Sequence, residues 1–119
     1  MLGDLIMDDA QLLKGILEGC VLAIISNGET YGYDILTVLE RHGFADIHEG
    51  TLYPVLVRLE KKNDIVCRIG KSPFGPKRKY YSITEEGKYD LEMFLSSYHN
   101  LTKCVNNIIS GIKIEEQKP

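Results

Sequence analysis

The chain has 119 residues, about one domain's worth, with 44% hydrophobic and 26% charged residues, the composition of an ordinary globular domain. Its longest apolar run, Cys20 to Ile25, is six residues against the ~20 that a membrane helix needs. With no export leader read at the start, a membrane protein, a secreted mini-protein and a large two-domain enzyme are all disfavoured, and a cytoplasmic chain is expected. The net charge of −3 argues, on average, against a polyanionic partner.

The spacing predicts a first helix from Asp8 to Ser26, with Leu12, Leu13, Ile16, Leu17, Cys20, Val21, Ile24 and Ile25 in steps of three and four. Asp8 and Asp9 suit its positive end, and Asn27-Gly28 stops it. Thr30 is read as the cap of a second helix carrying Ile35, Leu36, Val38 and Leu39, which ends at Gly43. A third helix runs from about Glu49 to Lys62, and its Leu52, Val55, Leu56 and Leu59 must face a core. Thr51, Tyr53, Arg58, Lys61 and Lys62 are then left at its surface or flanks, and Pro54 removes one backbone bond.

The period then changes to two. Ile65–Ile69 and Arg78–Ile83 read as short antiparallel strands around a loop punctuated by Gly70, Pro73, Gly75 and Pro76. Alternation turns Tyr81 and Ile83 inward, and Arg78, Tyr80 and Ser82 outward. Thr84 caps a last helix, within which Gly87 costs some helicity. Along it Leu91, Leu95, Tyr98, Thr102, Val105, Ile109 and Ile112 form a heptad seam, widened by Phe94, Leu101 and Ile108. A stripe this broad exceeds what one small domain covers, so a dimer is expected through Leu91, Leu95, Leu101, Val105 and Ile109, helped by Leu12 and Ile16 of the first helix.

The charge is unevenly spread. From Arg58 to Tyr80 there are eight bases and two acids, a balance of +6, while the rest of the chain carries −9. Three helices followed by a basic hairpin is the order of a winged helix-turn-helix, in which the third helix enters the DNA major groove and the hairpin lies along the backbone. The fold class expected is therefore mainly α with a small β-hairpin: a winged helix-turn-helix over residues 1–83 and a C-terminal dimerisation helix and tail over 84–119.

Several strings resemble those of the PadR-like transcriptional regulators. They are Tyr31-Gly32-Tyr33-Asp34, Gly50-Thr51-Leu52-Tyr53-Pro54, Arg58-Leu59-Glu60, and Lys79-Tyr80-Tyr81-Ser82-Ile83-Thr84-Glu85-Glu86-Gly87. The resemblance spans about Leu12 to Ile109 and, by length, points to the short-tailed branch. It implies a homodimeric bacterial repressor, working in the cytoplasm at the nucleoid, that binds a palindromic operator in double-stranded DNA. Such regulators often respond to small aromatic or drug-like effectors. Thr51 and Tyr53 match recognition-helix positions, and Lys77 and Arg78 match the basic wing. Arg58, Lys62 and Lys71 complete the expected phosphate contacts, while Tyr31 and Tyr33 either pack the second helix on the wing or, Tyr33 above all, touch DNA. His48 stands where many relatives have a capping Ser, and Asn63 replaces a Gly but tolerates a left-handed turn.

An effector would lie in the dimer against Phe94 and Tyr98, unless Tyr98 only packs the seam. Cys20, Cys67 and Cys104 show neither disulfide nor metal spacing, and His42, His48 and His99 share no ligand spacing. Gly70-Lys71-Ser72 lacks the first glycine of a phosphate loop. No cofactor, no metal and no enzymatic activity are expected; the competing reading is a dimeric protein-interaction module without DNA affinity.

Overall fold

The computed structural model describes residues 12, 13 and 15–112. Their elements run α1 (Leu17–Ile25), β1 (Thr30–Tyr31), α2 (Gly32–Arg41), α3 (Glu49–Lys61), β2 (Ile65–Ser72), β3 (Gly75–Ile83) and α4 (Glu85–Ile109). The strands form one antiparallel sheet in the order β1-β3-β2. The first three helices pack around Leu17, Val21, Leu22, Ile25, Ile35, Leu39, Leu52, Val55, Leu56 and Leu59, and Ile65 and Tyr81 close that core from the sheet. Each such side chain contributes on the order of 1.5–3 kcal/mol relative to an exposed one. The four core positions assigned to the third helix from spacing are all buried. Among the described residues, no helix is long and apolar enough to cross a membrane.

Three local expectations change. The first helix is interrupted: Leu12 and Leu13 are helical, Gly15 and Ile16 form a turn, and the Ile16 N–H donates to the Leu13 carbonyl at 2.9 Å, an i→i−3 bond. The glycine weakens the helix there, and Asp8 and Asp9 lie outside the described residues. Thr30 is a strand residue rather than the cap of α2. It pairs with Tyr81, and its hydroxyl donates to Asp34 Oδ2 at 2.9 Å, while extended Tyr31 begins the helix without any side-chain cap. A two-residue strand has no period to detect, and β-branched Thr30 fits the pleat once β3 offers an edge. The wing strands are also longer than expected. Ser72 pairs with Gly75 and Lys71 with Lys77, so Pro76 is the unpaired extra residue of a bulge, a position that needs no N–H.

The end of α3 is joined to the start of α4 through a few backbone atoms. Asn63 takes φ 64, the left-handed turn its side chain tolerates. The next carbonyl, that of Asp64, accepts from the Thr84 N–H at 3.0 Å, while the Thr84 hydroxyl donates to the Asn63 carbonyl at 2.6 Å, with the Asp64 carbonyl farther from it at 3.1 Å. Thr84 Oγ1 in turn accepts from the Gly87 N–H at 2.9 Å, the expected cap. Gly87 does more than lower helicity, because a Cβ there would overlap the Asp64 carbonyl oxygen. Beyond this joint, Phe94 packs so closely on α1 that a Cβ on Gly19 would collide with its ring. The far half of α4 is bare: Leu95, Leu101, Val105, Ile108 and Ile109 are all exposed.

The Asp64 side chain sits in the same joint, 1% exposed, with Oδ1 lacking a hydrogen-bond partner. Burial first, then hydrogen bonding and repulsion from the Asp90 carboxyl of α4, with a smaller push from Glu18 of α1 and with Lys62 opposing, raise its carboxyl to about 6. An acid raised above its ordinary 3.8 binds its proton more tightly folded than unfolded. Its stabilising effect is therefore complete below that value and is lost as pH rises through about 6. Asp64→Asn removes the buried charge, so its urea midpoint should exceed that of the unsubstituted protein at pH 8, with the gap narrowing by pH 5. An equal gap at both pH values would show that Asp64 does not titrate in the folded state.

Candidate nucleic-acid interface

The start of α3 projects Thr51 and Tyr53 outward because Leu52, Val55 and Leu56 are taken by the core. His48 precedes the helix with extended backbone and no side-chain cap, and its carbonyl accepts from the N–H groups of Thr51 at 2.9 Å and Leu52 at 3.0 Å. The helix start is thus held by backbone alone. Tyr53 is 56% exposed and Tyr33, from the first turn of α2, is 72% exposed.

β3 carries its cations on two faces. Alternation from buried Tyr81 places Lys79 and Lys77 on the side toward α3, joined by Lys71, the partner of Lys77 across the wing. Lys79 Nζ lies 5.9 Å from the centre of the Tyr53 ring. Arg78 alternates with them along the strand and stacks at 3.9 Å over Tyr31, which also lines the cleft between α2, α3 and the wing, and Tyr31 meets Tyr80 edge-on at 5.9 Å between ring centres. Tyr80 is capped from its other side by Arg68 at 4.5 Å, whose guanidinium donates to both Glu29 carboxylate oxygens at 2.7 and 2.8 Å. That hydrogen bonding holds the Glu29 carboxyl below its ordinary range. Gly70 makes the ladder possible, since a Cβ there would crowd both Arg68 and the Tyr80 ring. The stack stiffens the base of the wing while leaving its lysine face unencumbered by these contacts.

Between α2, α3 and the wing lies a cleft of about 490 Å³, with Leu52, Leu56 and Tyr81 at its floor and Tyr33, Tyr53, Arg78 and Lys79 around its rim. Burial pushes the Tyr81 hydroxyl up to about 12, so it stays protonated at neutral pH. Among the described residues, no group of His, Cys, Asp and Glu is arranged to hold a metal ion. An apolar floor with aromatic and cationic edges suits contact with sugar and phosphate.

The geometry therefore brings together Tyr33, Tyr53 and Arg78 around one cleft, and sets Lys71 and Lys77 along the outer wing. Thr51 is exposed on the same helix as Tyr53. Arg58 and Lys62 are placed differently: both bridge to Glu18 of α1, at 3.1 Å each. These bridges are exposed and individually weak, so phosphate could compete for either cation. Lys79 was not singled out from sequence, although strand alternation from Tyr81 was enough to put it beside Lys77. Of the other residues singled out, Leu12 and Ile16 line a second cleft of about 450 Å³ with Phe44, Ile47 and Tyr98, and Phe94 stacks on Tyr98 at 6.0 Å.

Residues 21–93 match the transcriptional regulator PadR-like family. The chain is 47% identical to a PadR-like transcriptional regulator of Bacillus cereus strain ATCC 14579, whose crystal structure superposes with a TM-score of 0.77 over 86% of this chain and 99% of that one. A PadR family regulator of Eggerthella lenta DSM 2243 is 28% identical, with a TM-score of 0.80 over 92% of this chain and 96% of that one. An uncharacterised protein of Lysinibacillus sphaericus is 31% identical over 106 residues, covering 87% of this chain and 97% of the relative. Superposable folds, a matched family segment running from α1 into α4, and relatives matched over nearly their full length lead to one conclusion. The chain belongs to the PadR-like family of transcriptional regulators, and is not an enzyme.

Proposed function

We propose that the protein is a homodimeric repressor that binds a palindromic operator in duplex DNA, in the bacterial cytoplasm at the nucleoid. Residues 1–83 read DNA and residues 84–119 pair the protomers. The observation that carries this reading is the meeting of Tyr53 on α3 with Lys79 on the wing across one cleft. In this reading Thr51 and Tyr53 enter the major groove, Tyr33 flanks them, and Lys71, Lys77 and Arg78 hold phosphates. Arg58 and Lys62 exchange Glu18 for the DNA backbone. About six phosphate contacts make affinity fall by ~10³-fold or more between low and moderate salt. Replacing Lys77 and Arg78 together by Ala should weaken binding to every sequence and flatten the salt dependence by about two contacts. Unchanged affinity in that variant would take the wing out of the interface.

Pairing is supported by the bare stretch of α4, where Leu95, Leu101, Val105 and Ile109 are 49–64% exposed. Together with Leu91, half-buried against the protomer's own core, Ile16 in the turn that interrupts the first helix and Leu12 before it, they make the dimer seam. Ile109→Glu should yield monomers by light scattering with helix content retained; a persistent dimer would place the seam elsewhere.

A small planar aromatic effector would bind against Phe94 and Tyr98, where the stacked pair adjoins the cleft of Leu12, Ile16 and Phe44. It relieves repression only if it prefers one spacing of the two recognition helices. Compounds found by thermal shift should lose their effect on Tyr98→Ala; equal stabilisation of both proteins would move the pocket.

A further inference from the structure

The outer end of the wing carries an aromatic ring with nothing to pack on. Phe74 is 91% exposed, more than any other large apolar side chain among the described residues. It does not sit on a slack loop. The strands run to Ser72 and resume at Gly75, leaving Pro73 and Phe74 as the whole of the tip. The Phe74 N–H donates to Ser72 Oγ at 3.2 Å, and Gly75 takes φ 138, a conformation that L side chains rarely adopt. Pro73 and Pro76 restrict the backbone on both sides. One step behind the ring stand Lys71 and Lys77, directly opposed across the hairpin.

Two like charges facing each other across strands repel, so this pair contributes nothing to the stability of the hairpin. A ring held out in water contributes nothing to the core. Both features suit a polyanion with an apolar interior, which is the chemistry of a DNA minor groove: phosphates on two walls, about 6 Å apart, over stacked base edges. Reach is sufficient. The paired strand residues between Tyr81, at the core, and Gly75 extend roughly 20 Å at 3.3 Å per residue, about the diameter of the duplex.

We propose that Phe74 is a minor-groove wedge. With α3 in the major groove, the wing carries the ring into the neighbouring minor groove, where Lys71 and Lys77 take a phosphate on either wall and the ring partly unstacks one base step and bends the duplex. The inference rests on the DNA-binding reading above and adds to it a residue that selects for deformable steps, such as TA or CA, without any hydrogen bond to a base.

The test uses the full-length protein and end-labelled duplexes from its own promoter, with affinity read by anisotropy and bending by energy transfer between the ends. Because Phe74 touches no core residue, Phe74→Ala should fold as the unsubstituted protein does. It should lose roughly tenfold in affinity, reduce the bend, and leave the salt slope unchanged, since no charge is removed. Phe74→Leu, still an apolar wedge, should recover most of both. A Phe74→Ala protein that binds and bends DNA like the unsubstituted one overturns the wedge alone, since DNA binding then stands. If the unsubstituted protein binds no duplex, both readings fall.

Discussion

The structure depends on one carbonyl. Asp64 O, just past the left-handed residue Asn63 that ends α3, receives the N–H of Thr84, the Thr84 hydroxyl donates to the adjoining Asn63 carbonyl, and the start of α4 presses on Asp64 O through a glycine. Three elements meet there. α3 ends at Lys61, the wing strands begin and end at the Ile65–Ile83 pair, and α4 begins at Glu85. None can be displaced at this point without disturbing the others. The orientation of the α3 face relative to the wing, and of both relative to α4, is therefore set by hydrogen bonds within a few residues. The end of α3 and the start of α4 are therefore coupled, and the buried Oδ1 of Asp64, without a hydrogen-bond partner, makes the joint less stable than its backbone bonds alone would make it.

Charge is partitioned around that frame. The basic segment carries cations whose partners differ by position. Arg58, Lys62 and Arg68 are tied to carboxylates of α1 and of the turn before β1. Lys71, Lys77 and Lys79, farther out, line the wing face toward α3. The inner pairs tie helix and wing to the body of the fold, and in the proposed reading the outer cations, joined by Arg58 and Lys62 once they release Glu18, supply the attraction for DNA. Such a division explains how a chain of net charge −3 presents a surface suited to a polyanion. The acids elsewhere, in a helix such as α4, keep that attraction local.

Much of this was legible in the residues. Helical spacing identified every buried position of α3, because a single apolar stripe in steps of three and four admits one register. The Thr84 cap and the left-handed Asn63 were likewise local matters of side-chain chemistry. What escaped was non-local. Thr30 looks like a cap until a distant strand supplies Tyr81 as its partner, and Gly87 looks like a mere helix weakener until the Asp64 carbonyl arrives beside it. The Glu18 bridges to Arg58 and Lys62 cross about 40 residues of sequence and leave no trace in spacing. Lys79 could have been found: alternation from a buried Tyr81 was sufficient.

In the proposed function, one rigid unit of α3 and wing, repeated by two-fold pairing through α4, meets DNA on a single face. Hydroxyl-radical footprinting of the full chain on its own promoter tests it most directly. Two symmetric protected stretches are expected, centred about 10 base pairs or a whole multiple of that apart, on one side of the duplex. A single unsymmetric stretch, or protection spread evenly around the helix, would contradict it.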